Sequence, residues 1–260
     1  MATDRLDLLE RAGPVAPPAP SAGEHLVYAI GDIHGRYDLL KDLLKQIQDD
    51  VSVFPEEVSR LLLFSGDYID RGPSSAEVLE TLVWLKRASD MPVCFLKGNH
   101  EAVLLNCIKQ EQVMASWLEF GGKATLASYG VFVPEDPEDV ISLKLAMAHL
   151  LDKMPASHMA MLGQLEISRI VGDYIFVHAG LRPHVPLHQQ SEDDMLWIRD
   201  EFVEEQGPFE KLVVHGHTWR DSRPDVRHNR IGIDTGAYST GVLTAVRLYQ
   251  TDVKFLHAID

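Results

Sequence analysis

Five separated stretches of the chain set carboxylates, imidazoles or a carboxamide beside glycine. They are Asp32 and His34 in Gly31-Asp32-Ile33-His34-Gly35, Asp67 in Ser65-Gly66-Asp67-Tyr68-Ile69-Asp70-Arg71-Gly72, Asn99 in Lys97-Gly98-Asn99-His100-Glu101, His178 in His178-Ala179-Gly180, and His217 in His215-Gly216-His217-Thr218. Carboxylate, imidazole and amide oxygen together make a donor set for manganese, iron or zinc, with no sulfur involved. Asp32 and His34 are two residues apart, so on an extended segment they point to the same side. Asp67, Asp70 and Arg71 directly behind an apolar run are costly to bury unless their charge is compensated. A cation beside Asp67 and an anion beside Arg71 would do this; a surface turn with a local Asp–Arg pair is the alternative on that stretch alone. Any one of these residues taken singly is more often an ordinary core or surface side chain. Five strand ends that all deliver them after glycine turns are harder to explain that way.

Such loops can meet only if strands carry them to one edge. Residues 26–30, 60–64 and 93–96 read as three short buried strands, and each leads through a polar loop into a helical pattern. The first helix places Leu39, Leu40, Leu43, Leu44 and Ile47 on one face. The second starts at Pro73-Ser74-Ser75 and turns Val78, Leu79, Leu82 and Leu85 inward. The third runs through Val103, Leu104 and Leu105. Strand–loop–helix three times over predicts an α/β layer with parallel strands, whose sites gather beyond the carboxyl ends of the strands. Residues 109–163 then read as a helical insertion, broken at Gly121-Gly122 and Tyr129-Gly130 with a loop at Pro134 and Pro137, and as a place for substrate selection. Gly172-Asp173 signals a hairpin between 165–171 and 174–177. Residues 196–199 are expected to open a short helix, 211–214 to form a strand, and 231–233, 241–249 and 253–256 to close the chain as β segments. The second half is thus expected to be mainly antiparallel β, a second sheet packed on the first.

The bulk composition excludes several classes of function. A length of 260 residues with 45% hydrophobic content supports a sizeable core. A formal net charge of -15 argues against nucleic acid or an anionic membrane as partner, and requires that any phosphate be met by local arginine or metal. The two cysteines, Cys94 and Cys107, are too few for a disulfide framework and sit in apolar surroundings, as reduced thiols do. No run is apolar enough to span a bilayer, and the N-terminal segment lacks the apolar core of a secretory signal. The expected compartment is the cytoplasm. Residues 1–24 are rich in proline and alanine and read as a flexible tail, with 25–260 as the functional domain.

Gly31-Asp32-Ile33-His34-Gly35, Gly66-Asp67-Tyr68-Ile69-Asp70-Arg71-Gly72 and Gly98-Asn99-His100-Glu101 resemble the three signature motifs of the phosphoprotein phosphatase family, within the calcineurin-like metallophosphoesterases. His178-Ala179-Gly180 and Gly216-His217-Thr218 resemble its two remaining metal-ligand motifs, and Trp197-Ile198-Arg199 and Ile233-Asp234-Thr235-Gly236-Ala237 are similar to segments of bacterial and phage serine/threonine phosphatases. The resemblance runs from about residue 27 to the final strands. It implies an α/β, calcineurin-like metallophosphatase fold of two packed mixed β-sheets flanked by helices. It implies two divalent metal ions, manganese first, with iron or zinc as alternatives. Asp32 and His34 would hold one ion, Asp67 would bridge both, and Asn99, His178 and His217 would complete the second. His100 would be the general acid, tuned by Asp70, while Arg71, Arg199 and Asn99 would contact the phosphate.

The implied activity is hydrolysis of phosphoserine or phosphothreonine in proteins or peptides, extending to phosphotyrosine and aryl phosphates. It would proceed by direct attack of a hydroxide shared by two cations about 3.5–4 Å apart, with no phosphoenzyme. A dinucleoside polyphosphate hydrolase of the same fold is the alternative. That branch often lacks the acid corresponding to Asp70 and carries Asp rather than Glu after the Asn-His pair, so Asp70 and Glu101 favour the phosphatase. A non-catalytic phosphoprotein-binding protein would have lost a ligand, and none is missing here. His215 and His100 are further ligand candidates. His184, His188 and His228 read as solvent-exposed, Glu101 as a helix-start charge, Tyr238 as a possible pocket wall, and Asp234 as either a partner of a ligand histidine or a turn residue.

Overall fold

The apolar run after His25 is hydrophobic at every position because strand β1 (His25–Ile30) is covered on both faces. The computed structural model describes residues 19–260 apart from 111–112, 135 and 137–138. In it Leu26, Tyr28 and Ile30 enter a helix-lined core while Val27 and Ala29 enter a core between two sheets, the period-two alternation of a strand. The chain continues through α1 (Tyr37–Val51), β2 (Ser59–Phe64), α2 (Ser75–Ala88), β3 (Val93–Phe95) and α3 (Asn99–Lys109). Leu39, Leu40, Leu43 and Ile47 of α1 and Val78, Leu79, Leu82 and Leu85 of α2 are buried, as their spacing predicts. β1 pairs with β2 and β2 with β3 in parallel, so the loops of the first three motifs emerge at one edge.

The stretch read as an insertion folds as α4 (Met114–Trp117), a π-helical turn (Leu118–Gly122), α5 (Lys123–Ser128), α6 (Val140–Lys153) and α7 (Ala156–Leu162). Trp117, Leu126, Leu143 and Leu150 join the same core as α1 and α2. Gly121 breaks the helical path with φ 123°. Pro137, read as part of a loop, and the tail up to residue 18 lie outside the described residues. Ser21 and Ala22 are held in place: Ser21 N donates to the Asp173 carboxylate at 3.0 Å, and Ala22 N to Gln250 O at 2.8 Å.

The second half departs from expectation. β4 (Ser168–Val171) and β5 (Tyr174–Val177) form the predicted hairpin, followed by α8 (Glu192–Trp197), α9 (Asp200–Val203), β6 (Leu212–His215), β7 (Asp225–Val226), β8 (Arg230–Gly232), α10 (Ala237–Thr240), β9 (Val242–Tyr249) and β10 (Asp252–Ile259). The sheet order is β4-β5-β6-β8-β7, with β5/β6 and β6/β8 parallel, so this sheet is mixed rather than mainly antiparallel. The long connection bearing α8 and α9 is the crossover that parallel neighbours require. β9 and β10 leave this sheet and extend the first, in the order β10-β9-β1-β2-β3. β9 pairs with the open edge of β1 and is apolar on both faces, as that place requires: Leu243 and Ala245 enter the helix-lined core, Val246 and Leu248 the inter-sheet core. The helix expected to open at 196 instead ends at Trp197. Its start was concealed in Ser191, whose hydroxyl accepts from Asp194 N at 3.0 Å as an N-cap, ahead of an acidic first turn. The architecture is α/β, two mixed sheets packed face to face and flanked by helices. Among the described residues, no helix is long and apolar enough to cross a membrane.

Candidate metal centre

The first two motif loops are stitched together by their backbones. Ile33 N and His34 N both donate to Asp67 O, at 3.1 and 2.8 Å, and Gly35 N donates to Tyr68 O at 2.9 Å. The site loops hold unusual conformations: His34, Asp67, Asp70, Arg71 and His217 all have positive φ, five of the seven described non-glycine residues that do. Each such residue costs about 1–3 kcal/mol and persists only where its surroundings over-determine it. The His34 turn also corrects the expectation of an extended Asp32–His34 segment. His34 faces Asp67, with Nε2 3.4 Å from Oδ2, whereas Asp32 Oδ2 accepts from His217 N at 2.9 Å. Gly216 is required beside it, since a Cβ there would lie 2.0 Å from Asp32 Oδ1.

Two trios of ligand atoms converge, each within 4.8 Å: His34, Asp67 and His100, and Asp67, His178 and His217. Asp67 is common to both. Asp32 stands outside these trios but is tied to His217, and Asn99 Oδ1 lies 2.9 Å from His178 Nε2. His34 Nδ1 donates to Ile69 O and His178 Nδ1 to Ser65 O, both at 2.9 Å. This leaves each Nε2 as a lone pair aimed inward, the tautomer second partners impose on metal-binding histidines. With Asn99 oriented this way, His178 Nε2 and Asn99 Oδ1 are two acceptors face to face, a pairing that a cation relieves. Asp32 Oδ1 and His217 Nε2 are buried with no hydrogen-bond partner among the described residues. Among buried polar atoms such orphans call for an explanation.

The electrostatics fit the same account. Burial lowers the imidazoles of His34 to about 3 and His217 to about 2, and lowers His178 as well, so all three stay neutral. Burial, then the charges of Asp234 and Asp67, push the Asp32 carboxyl well above its usual range. Burial also opposes ionisation of Asp67, but the charge of a protonated neighbouring imidazole, which of this group only His100 favours, holds this carboxyl low. Neutral imidazoles around one ionised carboxylate, with a second starved of counter-charge, are the complement of a dinuclear cation site. The two trios joined by Asp67 fit a dinuclear metal centre.

His100 Nδ1 donates to Asp70 Oδ2 at 2.7 Å, and its Nε2 lies 3.9 Å from Asp67 Oδ2. Burial opposes a proton on His100, but the charge of Asp67 and the hydrogen bond to Asp70 raise its pKa overall. The Arg71 guanidinium lies over the Tyr238 ring at 4.6 Å, and Tyr238 meets His34 edge-on at 5.2 Å. Arg199, exposed between α8 and α9, is near enough to lower the pKa of His178 and His217 by its charge.

The lesser candidates are mostly placed elsewhere. His215 turns away from the centre: its Nδ1 contacts Gly216 O at 2.9 Å and its ring meets Phe202 edge-on at 4.9 Å. His184, His188 and His228 are exposed and take no part. Asp234 accepts from Gly236 N at 2.8 Å and faces Asp32, so it supports a turn rather than a histidine. Glu101 is a helix-start residue as expected, capping Gly98 N ahead of α3, but it does more than that. Its side chain is fully buried, with Oε1 accepting from Tyr68 N and Ile69 N and Oε2 from Asp67 N and Gly98 N, at 2.8–3.3 Å; burial and the charge of Asp67 push its pKa up to about 8, while four N–H donors favour the ionised form. Only its place two residues after Asn99 hinted at this. A groove of about 830 Å³ between α1 and α2, lined in part by Lys41, Leu44 and Trp84, contains none of these residues.

The chain is similar to known proteins over most of its length. The chain is 26% identical over 236 residues to the bis(5'-nucleosyl)-tetraphosphatase PrpE of Halalkalibacterium halodurans, covering 84% of this chain and 88% of that protein. It is 28% identical over 232 residues to serine/threonine-protein phosphatase 2 of Escherichia coli, covering 85% and 92%. It superimposes on a chain crystallised as a candidate diadenosine tetraphosphatase with a TM-score of 0.61 at 22% identity, over 94% of this chain and 100% of that one, a likeness of fold. The profile of the calcineurin-like phosphoesterases matches residues 25–239, a span that takes in all five loops, and the chain belongs to that family.

Proposed function

We propose that the chain is a metal-dependent phosphomonoesterase that removes phosphate from phosphoserine or phosphothreonine in proteins, with phosphotyrosine and aryl phosphates as further substrates. The observation that carries this reading is the buried pair of Asp70 and His100, whose imidazole presents Nε2 toward Asp67. An alkoxide leaving from phosphoserine is strongly basic and needs a proton, whereas a polyphosphate leaving group needs one far less. A chain that buries a carboxylate to hold an imidazole protonated is equipped for the harder departure.

Asp32, His34 and Asp67 would hold one divalent cation, and Asp67, Asn99, His178 and His217 the other, with manganese the proposed metal. Bound there, the cations supply Lewis acidity and a water acidic enough to ionise near neutral pH. Arg71 and Arg199 present planar guanidinium forks to the phosphoryl oxygens, and Arg71 is held by its stacking on Tyr238. His100 Nε2 gives its proton to the departing oxygen while Asp70 keeps Nδ1 donating and fixes the ring. No side-chain nucleophile is required, so no phosphoenzyme forms. The cytoplasm is the proposed compartment, supported by two buried free cysteines.

A second reading, asymmetric hydrolysis of a dinucleoside tetraphosphate, is favoured by the PrpE relatives. Turnover of a phosphoserine peptide and of diadenosine tetraphosphate, compared by kcat/KM in manganese, decides between them. A preference for the peptide is expected; turnover of diadenosine tetraphosphate alone would replace the first reading with the second.

A further inference from the structure

Asp70 is fully buried, and two of its three side-chain donors come from the helical stretch read as an insertion. Its Oδ2 accepts from His100 Nδ1 at 2.7 Å and from Trp117 Nε1 at 2.9 Å. Its Oδ1 accepts from Thr125 Oγ1 at 2.6 Å. Its backbone N–H donates to Thr125 Oγ1 at 3.0 Å and to Ser75 Oγ at 3.1 Å. Thr125 spends its one hydroxyl proton on Asp70, so the 3.1 Å contact between the two hydroxyls has Ser75 as donor. Trp117 sits at the end of α4 and Thr125 within α5, and both are fully buried. Between them Gly121 O accepts from Arg71 N at 3.1 Å. Gly121, at φ 123°, could not bear a side chain there: a Cβ would lie 2.8 Å from Arg71 Cγ.

We propose that Trp117 and Thr125 are positioning residues for proton transfer, so that this stretch, besides any part in substrate selection, locks the Asp70–His100 pair. The proposal rests on the phosphomonoesterase reading. A carboxylate tethered by one donor can rotate about its Cβ–Cγ bond and release the imidazole. One tethered at both oxygens by rigid, buried donors cannot, and the imidazole it holds keeps a single orientation. Trp117 has only one polar atom, and that atom is spent on Asp70. Thr125 meets both the carboxylate and the backbone N–H of the same residue, which holds Asp70 at its positive φ.

Thr125→Val removes one donor at nearly the same volume, Trp117→Phe removes the other with a smaller ring, and Thr125→Ser keeps a hydroxyl. The first measurement needs neither metal nor turnover. In the metal-free protein with ¹⁵N-labelled histidine, the His100 Nδ1 proton should appear far downfield in wild type and Thr125→Ser, and should move upfield or vanish by exchange in the other two. The second uses the manganese-loaded enzyme. On a phosphoserine peptide, kcat should fall about tenfold in Trp117→Phe and Thr125→Val, a part of the 10²–10⁴-fold a general acid contributes. On p-nitrophenyl phosphate, whose leaving group needs no proton, the loss should stay below about threefold, with KM unchanged. Equal losses on both substrates, or an unmoved resonance in both variants, would overturn the proposal. If wild type cleaves neither monoester, the functional reading falls instead and the resonance alone decides the positioning. Thr125→Val carries the test should Trp117→Phe not fold.

Discussion

Glu101→Gln changes one oxygen to an NH₂ in a buried site where four backbone N–H groups converge on a carboxylate. An amide can accept at its single oxygen, which serves one pair of donors: Tyr68 and Ile69, or Asp67 and Gly98. The other pair then faces an NH₂ that donates as well. Two buried N–H groups without an acceptor cost about 1–3 kcal/mol each, about 4 kcal/mol together. That is a large share of the about 5–15 kcal/mol that holds a typical domain folded. For a chain of this size each kcal/mol is worth about 2–4 °C, so the melting temperature should drop by about 10 °C. The loop that loses its anchor is the one that bears Asp67, so manganese binding should weaken along with stability. Differential scanning calorimetry with and without manganese, and titration calorimetry with manganese alone, read both effects. A Glu101→Gln protein that melts within about 3 °C of wild type and binds manganese as tightly would refute the view that this carboxylate organises the centre.

Three further outcomes are expected. His100→Asn should leave KM and manganese stoichiometry intact and cut kcat on a phosphoserine peptide by about 10²–10⁴-fold, but much less on p-nitrophenyl phosphate; equal losses would count against the acid role. Manganese at about 100 times its dissociation constant should stabilise the metal-free protein by about 2.7 kcal/mol for each ion bound, with Asp32 Oδ1 and His217 Nε2 among the atoms that gain a partner; a melting temperature indifferent to manganese would exclude the site. Burial lowers His215 to about 4, so the unfolded chain binds a proton there from about pH 6.5 down to 4 while the folded one does not. Stability carried by His215 is therefore present above pH 6.5 and lost as pH falls through that window, at about 1.4 kcal/mol per pH unit. In His215→Gln, denaturant titrations should show that slope reduced by one proton, and an unchanged slope would contradict it.

How much could be read beforehand depended on how local each cause was. The strands that end in Asp32, Asp67 and Asn99 were legible because apolar runs, glycine turns and helix periodicity are all short-range signals. The sheet that receives β9 and β10 was not legible. The apolar run of β9 shows that both its faces are buried but not against which sheet, and only β1, with an open edge on that side, settles it. The start of α8 is marked at Ser191, with acidic residues in the next three positions, but its buried residues begin only at Met195.

The centre divides along the same line. The sequence alone determined the chemical types, a carboxylate, imidazole and amide set on five strand ends, because donor identity and spacing belong to covalent structure. Tertiary structure alone decided which atoms face inward. His34 and His178 offer Nε2 because distant carbonyls of Ile69 and Ser65 claim Nδ1. His215 is turned out toward Phe202, although it lies only two residues from His217. Glu101 and Asp70 acquire their tasks from backbone N–H groups, an indole and a hydroxyl up to 55 residues away. A hydrogen bond acts over about 3 Å of space and takes no account of separation along the chain, so such partners exist only once the chain has folded.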